Sequence, residues 1–366
     1  MICNDSLLIR CKTILLALAI TLFTSSSFAQ QVKVCGQTKL NKWGVVPGNY
    51  SGISHVRDNL YAIVDDKVGV DGFKFLELNI DRENGKVLKA SLAEPEGMKE
   101  RRAKGECTKR DCEGVAYFPE ANTVFVSGEE EQRILEYTIE GRFTGRELAI
   151  HSIMQRNKIV PNLGFEALTY NDKQKRFWTT TESTLPADGK QSSPHNPLIH
   201  NRLRFVGFDN TLKPVESYVY QMDLLKATSK TATSLYGVPS LLALDDGRII
   251  VMEREGCFPK KQYGSWVRIK LYIVNPRQSK LVSLDTPIAM VGDDGVMKKE
   301  LICEFVTRLR LGSMNLSNYE GMCLGPKLND GRQTLILIAD SQNGMGNWMY
   351  QIKDHIRIVI LPSEIQ

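Results

Sequence analysis

The sequence predicts an all-β protein: a single β-propeller of four-stranded antiparallel blades around a central acidic channel, with six blades expected and seven the alternative. Three observations lead there. Segments 111–118 (Asp-Cys-Glu-Gly-Val-Ala-Tyr-Phe), 163–170 (Leu-Gly-Phe-Glu-Ala-Leu-Thr-Tyr) and 318–325 (Asn-Tyr-Glu-Gly-Met-Cys-Leu-Gly) each put one glutamate ahead of a short apolar run. In each, a turn and a β-branched or aromatic run ending in acidic or hydroxyl residues follow, which is the order of a half-buried hairpin. Degenerate copies at 237–253, with Ser240 in the glutamate place, and at 51–66 spread the unit over most of the chain. Units that recur in this way stack to share a core.

Taken in order, residues 42–66 read as a first strand pair ending in Val-Asp-Asp-Lys at 64–67. Residues 73–81 and 86–92 flank Glu83-Asn-Gly85, a hairpin turn. Residues 95–110 are charged and poorly periodic, so a surface loop over the channel mouth is expected. The Glu113 unit ends at Glu129, with outer strands at 133–139 and 146–150. A helical turn near 153–156 precedes the Glu166 unit, which closes at Glu182. Residues 183–204 carry Pro186, Gly189, Pro194, His195, Pro197, His200, Arg202 and Arg204 and form the longest irregular stretch, the kind of loop that often binds ligands. Strands at 204–208 and 216–221 follow, then the Ser240 unit ending at 252–255, an outer strand at 267–274, and a short helix or edge strand at 298–309. The Glu320 unit, returning through 334–339 to Asp340 and Ser341, closes the core, and 355–361 is expected to complete the first blade.

The N-terminus has Arg10 and Lys12, an apolar run over 14–23, then Thr-Ser-Ser-Ser-Phe-Ala. This is the pattern of a secretory signal peptide over 1–29, too short in its apolar part to span a membrane, which leaves 30–366 as one propeller domain in a secreted or periplasmic protein. Loss of Arg10, Lys12 and Asp5 lowers the formal charge from +5 to +4, with both signs interspersed, so no nucleic-acid surface is indicated. The mature chain is expected to be a monomer. Cys35, Cys107, Cys112, Cys257, Cys303 and Cys323 remain after the leader, an even number compatible with disulfides. Cys107 and Cys112 lack a second ligand pair at zinc spacing, and a local disulfide ahead of Glu113 is the better reading.

Segment 239–254, Pro-Ser-Leu-Leu-Ala-Leu-Asp-Asp-Gly-Arg-Ile-Ile-Val-Met-Glu-Arg, resembles a blade of the phytase-like, esterase-like family of secreted bacterial β-propellers. Cys112-Glu-Gly-Val-Ala, Gly164-Phe-Glu-Ala-Leu, Tyr319-Glu-Gly-Met and Asp65-Asp-Lys67 resemble its other blades, and the resemblance runs from about residue 51 to 361. Ser127-Gly-Glu-Glu-Glu-Gln132 departs from the family's Ser-Glu-Glu-Tyr-Gly-Pro strand end. The resemblance implies a propeller and hydrolysis of phytase or esterase type.

Carboxylates that converge in a channel cannot all stay ionised unless a cation sits among them, and hard oxygen ligands suit calcium. Glu113, Glu166 and Glu320 are therefore the expected catalytic and metal residues, with Asp66, Glu129, Glu182, Glu253 and Asp340 as further ligands. Lys67, Arg254, His200, Arg202 and Arg204 are the expected basic groups for a small ester or phosphate substrate. No Gly-x-Ser-x-Gly, His-Glu-x-x-His or Walker motif occurs, so water is the expected nucleophile. A non-catalytic propeller that binds a ligand or partner is the alternative.

Overall fold

A computed structural model describes residues 32–66, 71–106, 110–227, 229–342, 344 and 350–365. The alternating and β-branched runs form five antiparallel sheets, so the propeller has five blades and not the expected six or seven. Blade 1 runs outward through Tyr50–Arg57, Leu60–Asp65, Lys74–Ile80 and Val87–Ala93. Blade 2 is Cys112–Phe118, Thr123–Gly128, Arg133–Thr138 and Phe143–Glu147, and blade 3 is Ala167–Asn171, Arg176–Thr180, Arg202–Phe208 and Pro214–Gln221. Blade 4 is Thr233–Ala243, Ile249–Phe258, Trp266–Val274 and Lys299–Arg310, which turns back into Ser313–Met314. Blade 5 is Asn318–Leu324, Thr334–Asp340 and His355–Ile360, completed by the N-terminal strands Lys33–Val34 and Thr38–Lys39.

The C-terminal strand thus lies inside the last blade, between Thr334–Asp340 and the N-terminal strands, and does not complete the first. The first strand of every blade contacts the first strand of the next, and the fifth returns to the first, which closes the ring. Residues 299–310 are an edge-side strand, and the stretch expected as a loop contains the helix Glu96–Lys104. Among the described residues no helix is long and apolar enough to cross a membrane. Cys35, Cys112, Cys257, Cys303 and Cys323 are free thiols, while Cys107 and the leader lie outside the described residues.

Why five apolar interfaces hold the ring follows from strand period. Successive side chains point to opposite faces, and a blade inside a propeller has a neighbour on each face. In Thr334–Asp340 every residue is buried: Leu335 and Leu337 pack with Ile250 and Leu271 of blade 4, and Ile336 and Ile338 pack with Ile53 and Leu76 of blade 1. Phe118, Phe125, Phe177 and Phe208 fill the interface of blades 2 and 3, with Phe125 and Phe177 ring centroids 4.6 Å apart.

At the hub the first strands come too close for side chains. A Cβ on Gly52 would lie 2.5 Å from the Glu113 carbonyl oxygen and 2.9 Å from Val64 Cγ2, and one on Gly114 would meet the Glu166 carbonyl. Gly52→Ala should therefore cost about 1–3 kcal/mol, read as a lower urea midpoint with an unchanged slope. An unchanged midpoint would mean that the hub strands can separate.

His355 sits at the start of the C-terminal strand, with Nδ1 2.7 Å from Ser317 Oγ. Burial pushes its pKa from 6.5 down to about 4. A proton then favours the unfolded chain, so the stability this residue contributes above 6.5 is lost as pH falls through 4. Neighbouring Asp354, raised by burial from 3.8 to about 6, acts oppositely: its contribution is present below 3.8 and lost as pH rises through 6. His355→Gln should thus lose less melting temperature than the wild type on acidification from pH 6.5 to pH 4. Parallel curves would show that the buried ring is protonated without penalty.

Candidate active site

In each blade the ladder between the first two strands contains one extra residue on the first strand. The pairs Tyr50↔Asp65 and Gly52↔Val64 leave Ser51 unmatched in blade 1, and Tyr319↔Ala339 and Gly321↔Ile338 leave Glu320 in blade 5. Between Cys112↔Gly128 and Val115↔Val126 the residue Glu113 is extra in blade 2. Glu166 is extra in blade 3, where the Glu182 N–H donates to the Gly164 carbonyl at 2.7 Å and pairing resumes at Ala167↔Thr180. Such a bulge bends the strand and re-aims a side chain. Here it turns three glutamates into the channel.

The same register identifies a second tier. Asp66 and Glu129 donate their N–H groups to the carbonyls of Asn49 and Asp111, both at 2.8 Å, as Glu182 does to Gly164. Asn318 pairs with Asp340, and Gly237 with Arg254. Asp66, Glu129, Glu182, Arg254 and Asp340 are thus equivalent residues of the five blades. In blade 4 the pairs Gly237↔Arg254 and Ser240↔Met252 make Pro239 the extra residue. The alignment of Ser240 with the glutamates is therefore off by one position, and a slip of one residue reverses the face. Glu253 accordingly points away from the channel, accepting from Tyr220 Oη at 2.6 Å and pairing with Lys299 at 2.5 Å.

Asp66, Glu113, Glu129, Glu166, Glu182 and Glu320 line one cavity of about 720 Å³ together with Arg254. Arg254 is almost fully buried and divides this floor. Its Nη2 lies 2.7 Å from Glu182 and 3.4 Å from Glu166, and its Nη1 pairs with Glu320 and lies 3.3 Å from Asn318 Oδ1. Asn318 Nδ2 donates to the same Glu320 oxygen at 2.8 Å. Glu129 accepts from the Gly164 N–H at 2.7 Å. On the other side, Asp66, Asp111 and Glu113 bring three carboxylate oxygens within 4.8 Å of one another. Glu113 has no Lys or Arg partner among the described residues. Desolvation, then the charges of Asp66, Glu166, Glu320 and Glu129, push its pKa well above the usual range. Desolvation and Glu182 also raise Glu166, against the opposing pull of Arg254.

Three hard oxygens with a buried, unbonded Asp111 Oδ1 fit a divalent oxygen-seeking cation. Glu113, Glu166 and Glu320 do converge, but a guanidinium already bridges the last two, so the three do not form one metal cluster. Asp111 was not expected; its signal is an acid two residues before the bulge glutamate, held at φ +54°. Asp340 does not line the cavity and accepts from the Gln342 backbone at 2.6 Å.

The long loop is a different matter. Arg204 is buried in a two-bond pair with Asp188, at 2.7 and 2.6 Å, and donates to the carbonyls of Leu284 and Thr286. Arg202 bonds Gln221 and Asp293, and His200 Nδ1 lies 2.9 Å from the Met222 carbonyl. None of the three lines the cavity: the two arginines hold the loop against residues 283–293, and His200 is tied to the Met222 carbonyl. Lys67 lies outside the described residues.

A family model described as Phytase-like, esterase-like activity of phytase, matches residues 47–342. No curated protein matches the chain. Among solved structures, the chain is similar to an endo-arabinase from Bacteroides thetaiotaomicron at 12% identity, with 88% of this chain and 96% of that one covered and a TM-score of 0.41. It is also similar to a gluconolactonase from Xanthomonas campestris at 9% identity, with 91% and 95% covered and a TM-score of 0.35.

Breaking the buried Arg204–Asp188 pair with Arg204→Ala should cost about 3–5 kcal/mol of stability in a denaturant titration, with KM unchanged. A raised KM in a variant of full stability would return Arg204 to the site.

Proposed function

Because the chain belongs to the phytase-like family, we propose that its acidic cavity is the active site of a secreted ester hydrolase, acting on a carboxylic or phosphoric ester with the help of calcium. The observation that carries this reading is the division of the floor. One half has an internal cation, Arg254, and the other half, Asp66, Asp111 and Glu113, has no Lys or Arg partner for Glu113 among the described residues. Asp66, Asp111 and Glu113 would hold the calcium ion. Bound there, the ion supplies Lewis-acid polarisation of the ester oxygen and a lowered pKa for water.

The protein's own groups do the rest. Glu166, held above the usual carboxylate range by desolvation and Glu182 against the pull of Arg254, is the carboxyl suited to take the proton of attacking water and return it to the leaving alcohol. Arg254 holds Glu166, Glu182 and Glu320 in place and balances part of their charge. Glu129, fixed by the Gly164 N–H, borders the same floor.

Calcium added to chelator-stripped protein should stabilise it by RT ln(1 + [L]/Kd), about 2.7 kcal/mol at a hundredfold excess over Kd, and restore hydrolysis of a p-nitrophenyl ester. Glu113→Gln should lose most of the thermal shift while remaining at least as stable in chelator, since Gln relieves repulsion. A full shift in Glu113→Gln would remove the metal from this trio. Calcium binding without turnover of any acyl or phosphate ester would favour a ligand-binding propeller.

A further inference from the structure

Above the acidic floor the cavity changes character. Leu163, Leu235, Phe258, Leu309, Leu316 and Ile352 line its wall. Leu235 and Phe258 reach this wall because blade 4 is built longer than blade 3: Thr233–Ala243 has 11 residues and Ile249–Phe258 has 10, against 5 each in the first two strands of blade 3. Its ladder continues four pairs past Gly237↔Arg254, through Leu235↔Gly256 to Thr233↔Phe258. At about 3.3 Å per residue that raises an apolar rim roughly 13 Å above the floor.

Charge narrows the ligand further. Six carboxylates line the cavity, and among the described residues the basic side chains lining it are Arg254, already shared by three glutamates, and Lys260. A ligand carrying several negative charges would meet repulsion that one divalent ion at the floor cannot offset. An uncharged ester with a hydrocarbon arm meets none, and its arm removes the half-buried Leu163, Leu235 and Phe258 from water.

We infer that the substrate is an uncharged carboxylic ester or lactone with an extended apolar acyl or alkyl group, seated against the blade 4 rim, and not a polyphosphate. The inference rests on the hydrolase reading of the same cavity, and it chooses between the two ester classes left open there. Leu235 selects for the arm without touching the reacting bond.

Calorimetric titration of the full mature protein with N-octylacetamide and N-ethylacetamide, amides offered as unreactive ester mimics, tests it in the presence of calcium. Each buried methylene is worth about fourfold in affinity, so the octyl compound should bind at least about a hundredfold more tightly. Leu235→Asp should erase most of that preference; if this variant misfolds, Leu235→Ala should reduce the preference by about tenfold. Inositol hexakisphosphate should not compete. Equal binding of the two amides, an undiminished preference in Leu235→Ala, or competition by the hexakisphosphate each overturns the inference. Chain-length preference in binding with no hydrolysis of p-nitrophenyl acetate, octanoate or phosphate would support the apolar seat while sinking the hydrolase reading. Equal kcat/KM for acetate and octanoate would do the reverse.

Discussion

One buried guanidinium sets the terms for the hub. Arg254 stands where four other blades carry Asp66, Glu129, Glu182 and Asp340, and it reaches Glu166, Glu182 and Glu320 at once. Removing it would leave three carboxylates desolvated together, and each would have to take up a proton or draw in a cation. Arginine suits this place better than lysine, because its planar fork serves several acceptors and stays charged when buried. Arg254 does not reach every carboxylate of the floor, however. Glu113 lies beyond it and has no Lys or Arg partner among the described residues.

The device that gathers these charges is a repeated backbone irregularity. An extra residue in every first strand puts Ser51, Glu113, Glu166, Pro239 and Glu320 at one level of the ring. Glycine follows at positions 52, 114 and 321, where a neighbouring strand leaves little room for a Cβ. The Glu-Gly pair therefore answers two demands at once: a functional side chain turned inward, and a hub narrow enough for a five-blade ring. Blade 4 breaks the pattern twice, with Pro239 for glutamate and Arg254 for the second-tier acid. Both departures reduce negative charge on one side, so a symmetric fold carries an asymmetric site.

Much of the blade architecture was legible because burial on both faces leaves a strong period in each hairpin. Five copies of the Glu unit are visible, and five blades form; the sixth was an assumption about ring size that no sixth unit supported. Glu113, Glu166 and Glu320 were legible because each opens an intact motif. Ser240 and Glu253 were misplaced because a bulge shifts facing by one residue, and sequence alone does not mark which residue of Val238-Pro239-Ser240 is extra. Arg202 and Arg204 were misread for a different reason. A charged loop looks the same whether its arginines await a ligand or, like Arg204, are already committed to Asp188 and backbone carbonyls.

The apolar rim was the least legible part, and its physics explains why. Leu235, Phe258, Leu309 and Leu316 read as ordinary core residues, and three of them do pack against the cluster between blades 4 and 5. What puts Leu235 and Phe258 at the cavity is strand length: blade 4 continues its ladder past Arg254 while the first two strands of blade 3 stop short. Apolar surface then faces an opening in place of a neighbouring sheet. Blade 4 contributes to both floor and wall, since its second strand, Ile249–Phe258, carries Arg254 at floor level and Phe258 at the rim. A ligand held by both must be polar at one end and apolar at the other.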